Sequence, residues 1–270
     1  LDIRVKLDPR IFQIIALATL VSYGHLSGHF TYPVSHIFLA VVGCLAVQFV
    51  GDRVANRPFN FQSSLISGLG LALLFRVDHW AMMLLACLFT IGSKFVIRRS
   101  EGHLFNPTNF AIVAMLIFFR DSVWVSPGQW GNEFFVALIM AFLGVAVCQS
   151  AKRLDVPLSF LGFYAGILAV RALVLGDPLP VPINDLGNGA LLIFAFLMVS
   201  DPRTTPRALA GRLAFTFGTA LVSYIFLYWF FIREGLFYSL ALNTLCVPIY
   251  DRIFQGESFK WQPTRSLQAS

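Results

Sequence analysis

Long apolar runs, with nearly all of the charge placed between them, leave this chain few ways to fold. Candidate membrane segments fall near 11–29, 33–50, 62–75, 79–97, 107–119, 132–150, 156–175, 187–199, 211–231 and 236–249. A helix that crosses the hydrocarbon layer needs about 20 apolar residues. In lipid its backbone polar groups must find partners within the protein. The composition agrees: 57% of the residues are hydrophobic and only 13% are charged, where a soluble domain is charged at roughly a quarter of its positions. Mean hydropathy is +0.73. The expectation is an all-α integral membrane protein with about ten transmembrane helices. One membrane domain spans 1–251, and a polar cytoplasmic tail covers 252–270.

The third, fifth, eighth and tenth segments are short, and each has polar or helix-breaking residues near an end. Short or interrupted helices inside a membrane are tolerated where they line a cavity. If the N-terminus is cytoplasmic, Arg76, Arg120 and Arg233 fall outside and Arg171 lies within the seventh segment. Every other Lys and Arg then falls inside, which is the positive-inside pattern. The protein is therefore expected in the inner, cytoplasmic membrane with both termini cytoplasmic. The net charge of +6 serves orientation on this reading, and nucleic acid is not an expected partner.

Ten segments divide five and five, so any internal repeat must be inverted. The repeats would cover about 1–120 and 130–251. The run Ser63–Trp80 resembles Gly187–Pro206 in its small-residue start and polar exit. Glu101-Gly102-His103-Leu104-Phe105 resembles Glu234-Gly235-Leu236-Phe237, and Asn109 and Asn243 follow inside the respective runs.

Three stretches could carry chemistry. Asn106-Pro107-Thr108-Asn109 starts a helix: Asn is a good N-cap, and Pro suits the first turn. A half-helix that begins inside a membrane would aim its free N–H groups at an anionic or acceptor group, with Thr108 and Asn109 adding donors. Ser63 to Gly70, with Ser64, Ser67 and Gly68, is either a close-packing face or a small-residue wall for a flat ring. Ser200-Asp201-Pro202-Arg203-Thr204-Thr205 is a turn at the membrane edge, either salt-bridged or anchoring a ligand. Lys94 and Arg171 are charges near segment ends that can reach the interface, Arg171 toward Asp177 or Asp185.

Other chemistries are poorly supported. His25 and His29 stand four residues apart, a spacing that could bind metal or haem, but Gly28 argues against a helix through them and no second pair faces them. Neither a metal nor catalytic residues are assigned. Cys44, Cys87, Cys148 and Cys246 lie in or at the ends of apolar runs without a CxxC pattern, as packing residues do. The first ten residues are charged, and the run after them continues like a true span, so no cleavable signal peptide is expected.

The series "SGLGLALL", "LFNPTNFAIVAM", "FLMVSDPRTTP" and "LNTLCVPIYD" resembles the membrane family of RnfD, from the Rnf complex, and NqrB, from the sodium-pumping NADH:quinone oxidoreductase. The resemblance runs across 62–251 in order and spacing. It implies ten membrane helices in an inverted repeat. It also implies a part in a flavin-using, ion-coupled redox complex, as one component of an electron-transfer oxidoreductase and not a stand-alone catalyst. The family carries a covalent FMN on a Thr in an outer loop. Here that loop, Leu175 to Asp185, has no Thr and no Ser, so covalent FMN is not expected. The implied cofactor is a non-covalent flavin, FMN or riboflavin, with quinone as the other ligand, and with membrane lipid and other redox-complex subunits as partners. The implied site takes in Ser64, Ser67, Gly68, Lys94, Asn106, Thr108, Asn109, Asp201, Thr204, Thr205 and Asn243. The alternatives are an inverted-repeat transporter of a small solute or ion, and a structural membrane subunit without a cofactor.

Overall fold

The structure is a computed structural model that describes residues 8–28, 30, 32–99, 102–126, 134–178 and 180–256. His29 and the tail beyond 256 lie outside the described residues. The chain is a mostly helical membrane protein. α1 (Pro9–Leu26), α2 (Val34–Val54), α3 (Phe61–Leu74), α4 (Trp80–Val96) and α5 (Pro107–Phe118) make the first half. α6 (Phe134–Ser150), α7 (Asp155–Leu175), α8 (Pro180–Leu186), α9 (Gly189–Ile193), α10 (Leu209–Tyr224), α11 (Gly235–Thr244) and α12 (Val247–Ile253) make the second. α9 runs on as a π-helical turn, Phe194–Val199, and α10 as another, Ile225–Trp229.

Among the described residues, three helices of 21 residues are long and apolar enough to cross a membrane: Val34–Val54, Asp155–Leu175 and Leu209–Trp229. Pro180–Leu186 and Gly189–Val199 would make a fourth if this pair, bent by 45°, counts as one span. α3, α4, α5 and α6 are shorter apolar helices. At about 1.5 Å per residue, the 12 residues of α5 reach roughly 18 Å, well short of a hydrocarbon layer of about 30 Å.

Caps explain where the short helices begin. Asn60, Asn106 and Asn188 accept from the N–H groups of Ser63, Asn109 and Ala190 at 3.4, 3.1 and 2.9 Å. Pro107 adds its fixed φ at the first position of α5. At their far ends α3 and α5 lead into a two-stranded antiparallel ribbon, β1 (Phe75–Val77) and β4 (Val123–Val125), that pairs Arg76 with Trp124. A second hairpin, β2 (Arg98–Arg99) and β3 (Gly102–His103), lies between α4 and α5. The molecule thus has two ends, a ribbon face at β1 and β4 and a basic face at β2 and β3.

The structure corrects several sequence expectations. The ribbons are absent from an all-helical reading. The run 187–199 is a one-turn helix that widens into a π turn, with α8 ahead of it in what reads as an outer loop. The run 236–249 breaks at Leu245 and Cys246 into α11 and α12. Arg76, one of the cations expected on the outer side, is 3% exposed and lies in the ribbon.

α1 packs on α3, α2 on α3 and α4, and α4 on α5. In the second half α6 packs on α9, α7 on the 194–199 turn and on α10, and α10 on α11. α1 against α6 and α5 against α11 join the halves. Two glycines set close approaches. A Cβ on Gly68 would lie 2.8 Å from Val41 Cα on α2, and one on Gly144 would lie 2.5 Å from Phe196.

Candidate functional site

The N-termini of α3 and α5 open on the basic face beside the turn that follows the π segment. Between them lies a cavity of about 100 Å³. Its apolar wall includes Leu17, Ile66, Leu73, Val147 and Leu197, and its polar edge includes Ser67, Asn106, Thr108, Cys148 and Asp201. A more open cleft of about 450 Å³ adjoins it, and Arg10, Asn60, Ser63, His103 and Arg203 line both.

Asn106 serves two elements at once. Its Oδ1 caps α5, while its Nδ2 reaches Asp201 Oδ2 at 3.4 Å and the Met198 carbonyl at 3.5 Å. Thr108 Oγ1 donates to the Ser67 carbonyl at 3.4 Å, tying α5 to α3, and Ser67 Oγ donates to the Ser63 carbonyl at 2.9 Å. Asp201 Oδ1 accepts from the Arg203 N–H at 3.0 Å, the bond of an Asx turn. His103 Nε2 stands 3.6 Å from Asp201 Oδ2, within ion-pair reach but beyond hydrogen-bond distance. Burial pushes the Asp201 carboxyl up. The His103 imidazole and the N–H and charge of Arg203 outweigh that and hold it below the usual carboxylate value.

Lys94, in the last turn of α4, turns inward. Its Nζ donates to the carbonyl and the hydroxyl of Ser63 at 3.2 and 3.1 Å and lines the cleft. The structure thus brings together Ser67, Asn106, Thr108 and Asp201, with Lys94 next door.

The remaining sequence-predicted residues do not line either space. Ser64 Oγ donates back to the carbonyls of Asn60 and Phe61. Gly68 faces α2. Asn109 Nδ2 donates to the Phe237 carbonyl at 3.2 Å and joins α5 to α11. Thr204 Oγ1 donates to the Asp201 carbonyl, and Thr205 is buried at 3% exposure. Asn243 donates to the Phe215 carbonyl and Thr219 Oγ1 and accepts from the Tyr250 hydroxyl, so it cross-links α10, α11 and α12.

Sequence reasoning missed His103, Asn60, Arg10 and Cys148 as lining residues. His103 comes into the site on the β2–β3 hairpin. The signal for Asn60 was there: an Asn just ahead of an apolar run that opens with hydroxyl residues repeats the Asn106 arrangement. Arg171 pairs with Asp177, one of the two partners expected for it.

The sequence model of the NQR2, RnfD, RnfE family matches residues 126–260. Among curated proteins, the chain is similar to RnfD, the D component of the ion-translocating oxidoreductase complex, of Yersinia enterocolitica. They are 28% identical over 137 residues, which is 50% of this chain and 37% of that protein. It is similar to the corresponding component of Pseudomonas aeruginosa strain LESB58, at 30% identity over 128 residues, 46% of this chain and 36% of that protein. The corresponding component of Pseudomonas paraeruginosa is 28% identical over 128 residues, 46% of this chain and 35% of that protein. The matches therefore span little more than a third of the length of these relatives. The family match takes in Asp201, Thr204, Thr205 and Asn243, while Ser67, Asn106 and Thr108 come from the half before it.

Proposed function

The chain belongs to the NQR2, RnfD, RnfE family, and from that premise we propose that it is the RnfD-like membrane component of an ion-translocating oxidoreductase complex. On this reading it passes electrons through a flavin, FMN or riboflavin, held without a covalent bond in the cavity between α3 and α5. Quinone is the second ligand of the same chemistry. The observation that carries the reading is the cavity itself: an apolar wall with a polar edge at the mouths of two capped half-helices. A flavin ring has the same division, with a methylated apolar end and a carbonyl-bearing polar end.

The residues fit such a group. Asn106 Nδ2 and the Thr108 hydroxyl face the cavity and are held by contacts of 3.4 Å or longer, so each can turn to a ring carbonyl. His103 Nε2 is a buried nitrogen without a hydrogen bond among the described residues. The cavity alone is too small for a tricyclic ring, and the adjoining cleft supplies the remaining room. Leu17, Ile66 and Val147 keep water from the apolar end. A bound flavin supplies one- and two-electron chemistry. Covalent attachment does not fit, because the loop from Leu175 to Asp185 has neither Ser nor Thr.

The packing supports an inverted five-plus-five repeat. α1 on α3, α2 on α4 and α4 on α5 have their counterparts in α6 on α9, α7 on α10 and α10 on α11. The first-half short helices begin on the basic face. Their second-half counterparts, α9 and α11, each follow an odd number of further crossings and begin on the ribbon face. The concentration of basic residues on one face supports a cytoplasmic orientation for that face.

An absorbance spectrum of the detergent-purified protein tests the reading, followed by acid extraction and mass analysis. Flavin bands that leave with acid support it. Flavin that stays on the chain would overturn the non-covalent assignment. A colourless protein that takes up neither added flavin nor quinone would turn the balance to solute transport or a structural role.

A further inference from the structure

The cleft beside the cavity has a charge that the cavity chemistry leaves unused. Among the described residues Arg10, Arg57, Lys94, Arg98 and Arg203 line it, against the single carboxylate of Asp52. Asp52 is already engaged, since its Oδ2 accepts from Gln48 Nε2 and from the Asn60 N–H, both at 2.9 Å. Arg10 is held by Asp8 at 2.5 Å. Among the described residues Arg57, Lys94, Arg98 and Arg203 have no carboxylate within ion-pair distance, although Asp201 acts on Arg203 from further off. Lys94 donates to the carbonyl and hydroxyl of Ser63. His103, with a side chain 9% exposed, adds a buried nitrogen without a hydrogen bond at the border of cleft and cavity.

Like charges gathered in a cleft repel one another, and an anion relieves them. Guanidinium and ammonium groups together suit a phosphate, by forked hydrogen bonds and by point charge. The first turn of α3, also on this lining, adds N–H groups of the same sign.

We propose that this cleft binds the phosphate of a phosphorylated ring ligand whose ring enters the cavity, so that the chain selects the phosphate ester over the free alcohol. The proposal rests on the flavin reading of the cavity, and FMN and riboflavin differ in this one group. The ring would take the polar edge at Asn106 and Thr108, and the phosphate would lie toward Arg203, Arg57 and Lys94. The Asp201 carboxylate, on the cavity side, keeps the phosphate in the cleft by repulsion.

The test is a titration of the purified, salt-washed protein with FMN and with riboflavin, read by quenching of flavin fluorescence. FMN is expected to bind on the order of tenfold more tightly, the scale of one charge-assisted contact. Arg203→Gln, at an exposed position, should lower the FMN-to-riboflavin ratio toward one, while Arg120→Gln on the ribbon side should leave it alone. Inorganic phosphate should compete with FMN and not with riboflavin. Equal affinity for the two flavins would overturn the phosphate assignment and leave the cavity reading standing. Binding of neither would overturn both. If phosphatidylglycerol bicelles and not inorganic phosphate erase the preference, the cations serve a lipid headgroup and the proposal fails.

Discussion

At the scale of single residues, Asn106 and Asp201 are where the site and the fold depend on each other. Asn106 caps α5 and also reaches across to the turn after the π segment. Asn106→Leu removes both contacts. The lost cap should cost about 1 kcal/mol, a small drop in melting temperature in detergent, while bound ligand is lost far more readily. A variant that melts a little lower yet keeps its ligand through dialysis would remove Asn106 from the site. Asp201 makes a pH prediction. Its carboxyl is held below its ordinary value, so it contributes stability that is fully present above about pH 4, the unfolded value. That stability is lost as pH falls through the lower folded value. Asp201→Asn should be less stable than the parent at neutral pH, and the gap should close as the pH drops below the unfolded value and through the lower folded one. A gap that stays constant across a pH series of melting curves would show that charge is not its source. Asn106 and Asp201 were legible because cap and turn residues announce themselves beside apolar text. His103 was not, because its place depends on how a short hairpin folds back. Asn243 was expected in the cofactor site, yet three neighbours use its amide, and no sequence pattern shows that.

At the scale of elements, the short helices raise the question of what closes their ends. For α3 the answer is Arg76. Its guanidinium donates to the carbonyls of Ala72, Phe75 and Leu73 at 2.9, 2.7 and 3.1 Å. It lies 3.7 Å over the Tyr32 ring, and the Tyr32 hydroxyl donates to the same Ala72 carbonyl at 2.8 Å. A planar fork can reach several carbonyls at a helix end where a single ammonium cannot. Arg76→Lys should therefore destabilise the protein by about 2–4 kcal/mol, through carbonyls left short of donors and a buried charge poorly held. Melting temperature and protease resistance in detergent would register it, and a variant as stable as the parent would show that α3 is closed by something else. The segment lengths were readable because a run of about a dozen apolar residues cannot reach across a membrane. The ribbon that completes α3 and α5 was not, because three-residue strands carry no usable periodicity. The π turns were also beyond reach of pattern, since widening a helix by one residue leaves its apolar face intact.

At the scale of the whole molecule, the first and second halves of the chain meet through α1 with α6 and α5 with α11. The cavity draws on α1, α3, α5, α6 and the 194–199 turn, so both halves supply walls to one site. The ends of such a molecule are unlike: one carries the cations of the cleft, the other the β1–β4 ribbon. The charge bias made this asymmetry readable from sequence, since the basic loops alternate with loops that hold few cations. It also fixes the last prediction. Arg57 and Asp78 are both exposed, Arg57 between α2 and α3 and Asp78 between β1 and α4, separated by the full length of α3. In a Cys246→Ser background, chosen because Cys246 is the one free cysteine that is not buried, Arg57→Cys and Asp78→Cys should react from opposite sides of the membrane. A membrane-impermeant maleimide added to intact cells should label Asp78→Cys, and Arg57→Cys should react only after permeabilisation. Reversed labelling would invert the orientation and put the cleft outside. Labelling of both positions from one side would mean that α3 and its ribbon do not connect the two faces, and the placing of the cleft and the ribbon on opposite sides would go with it.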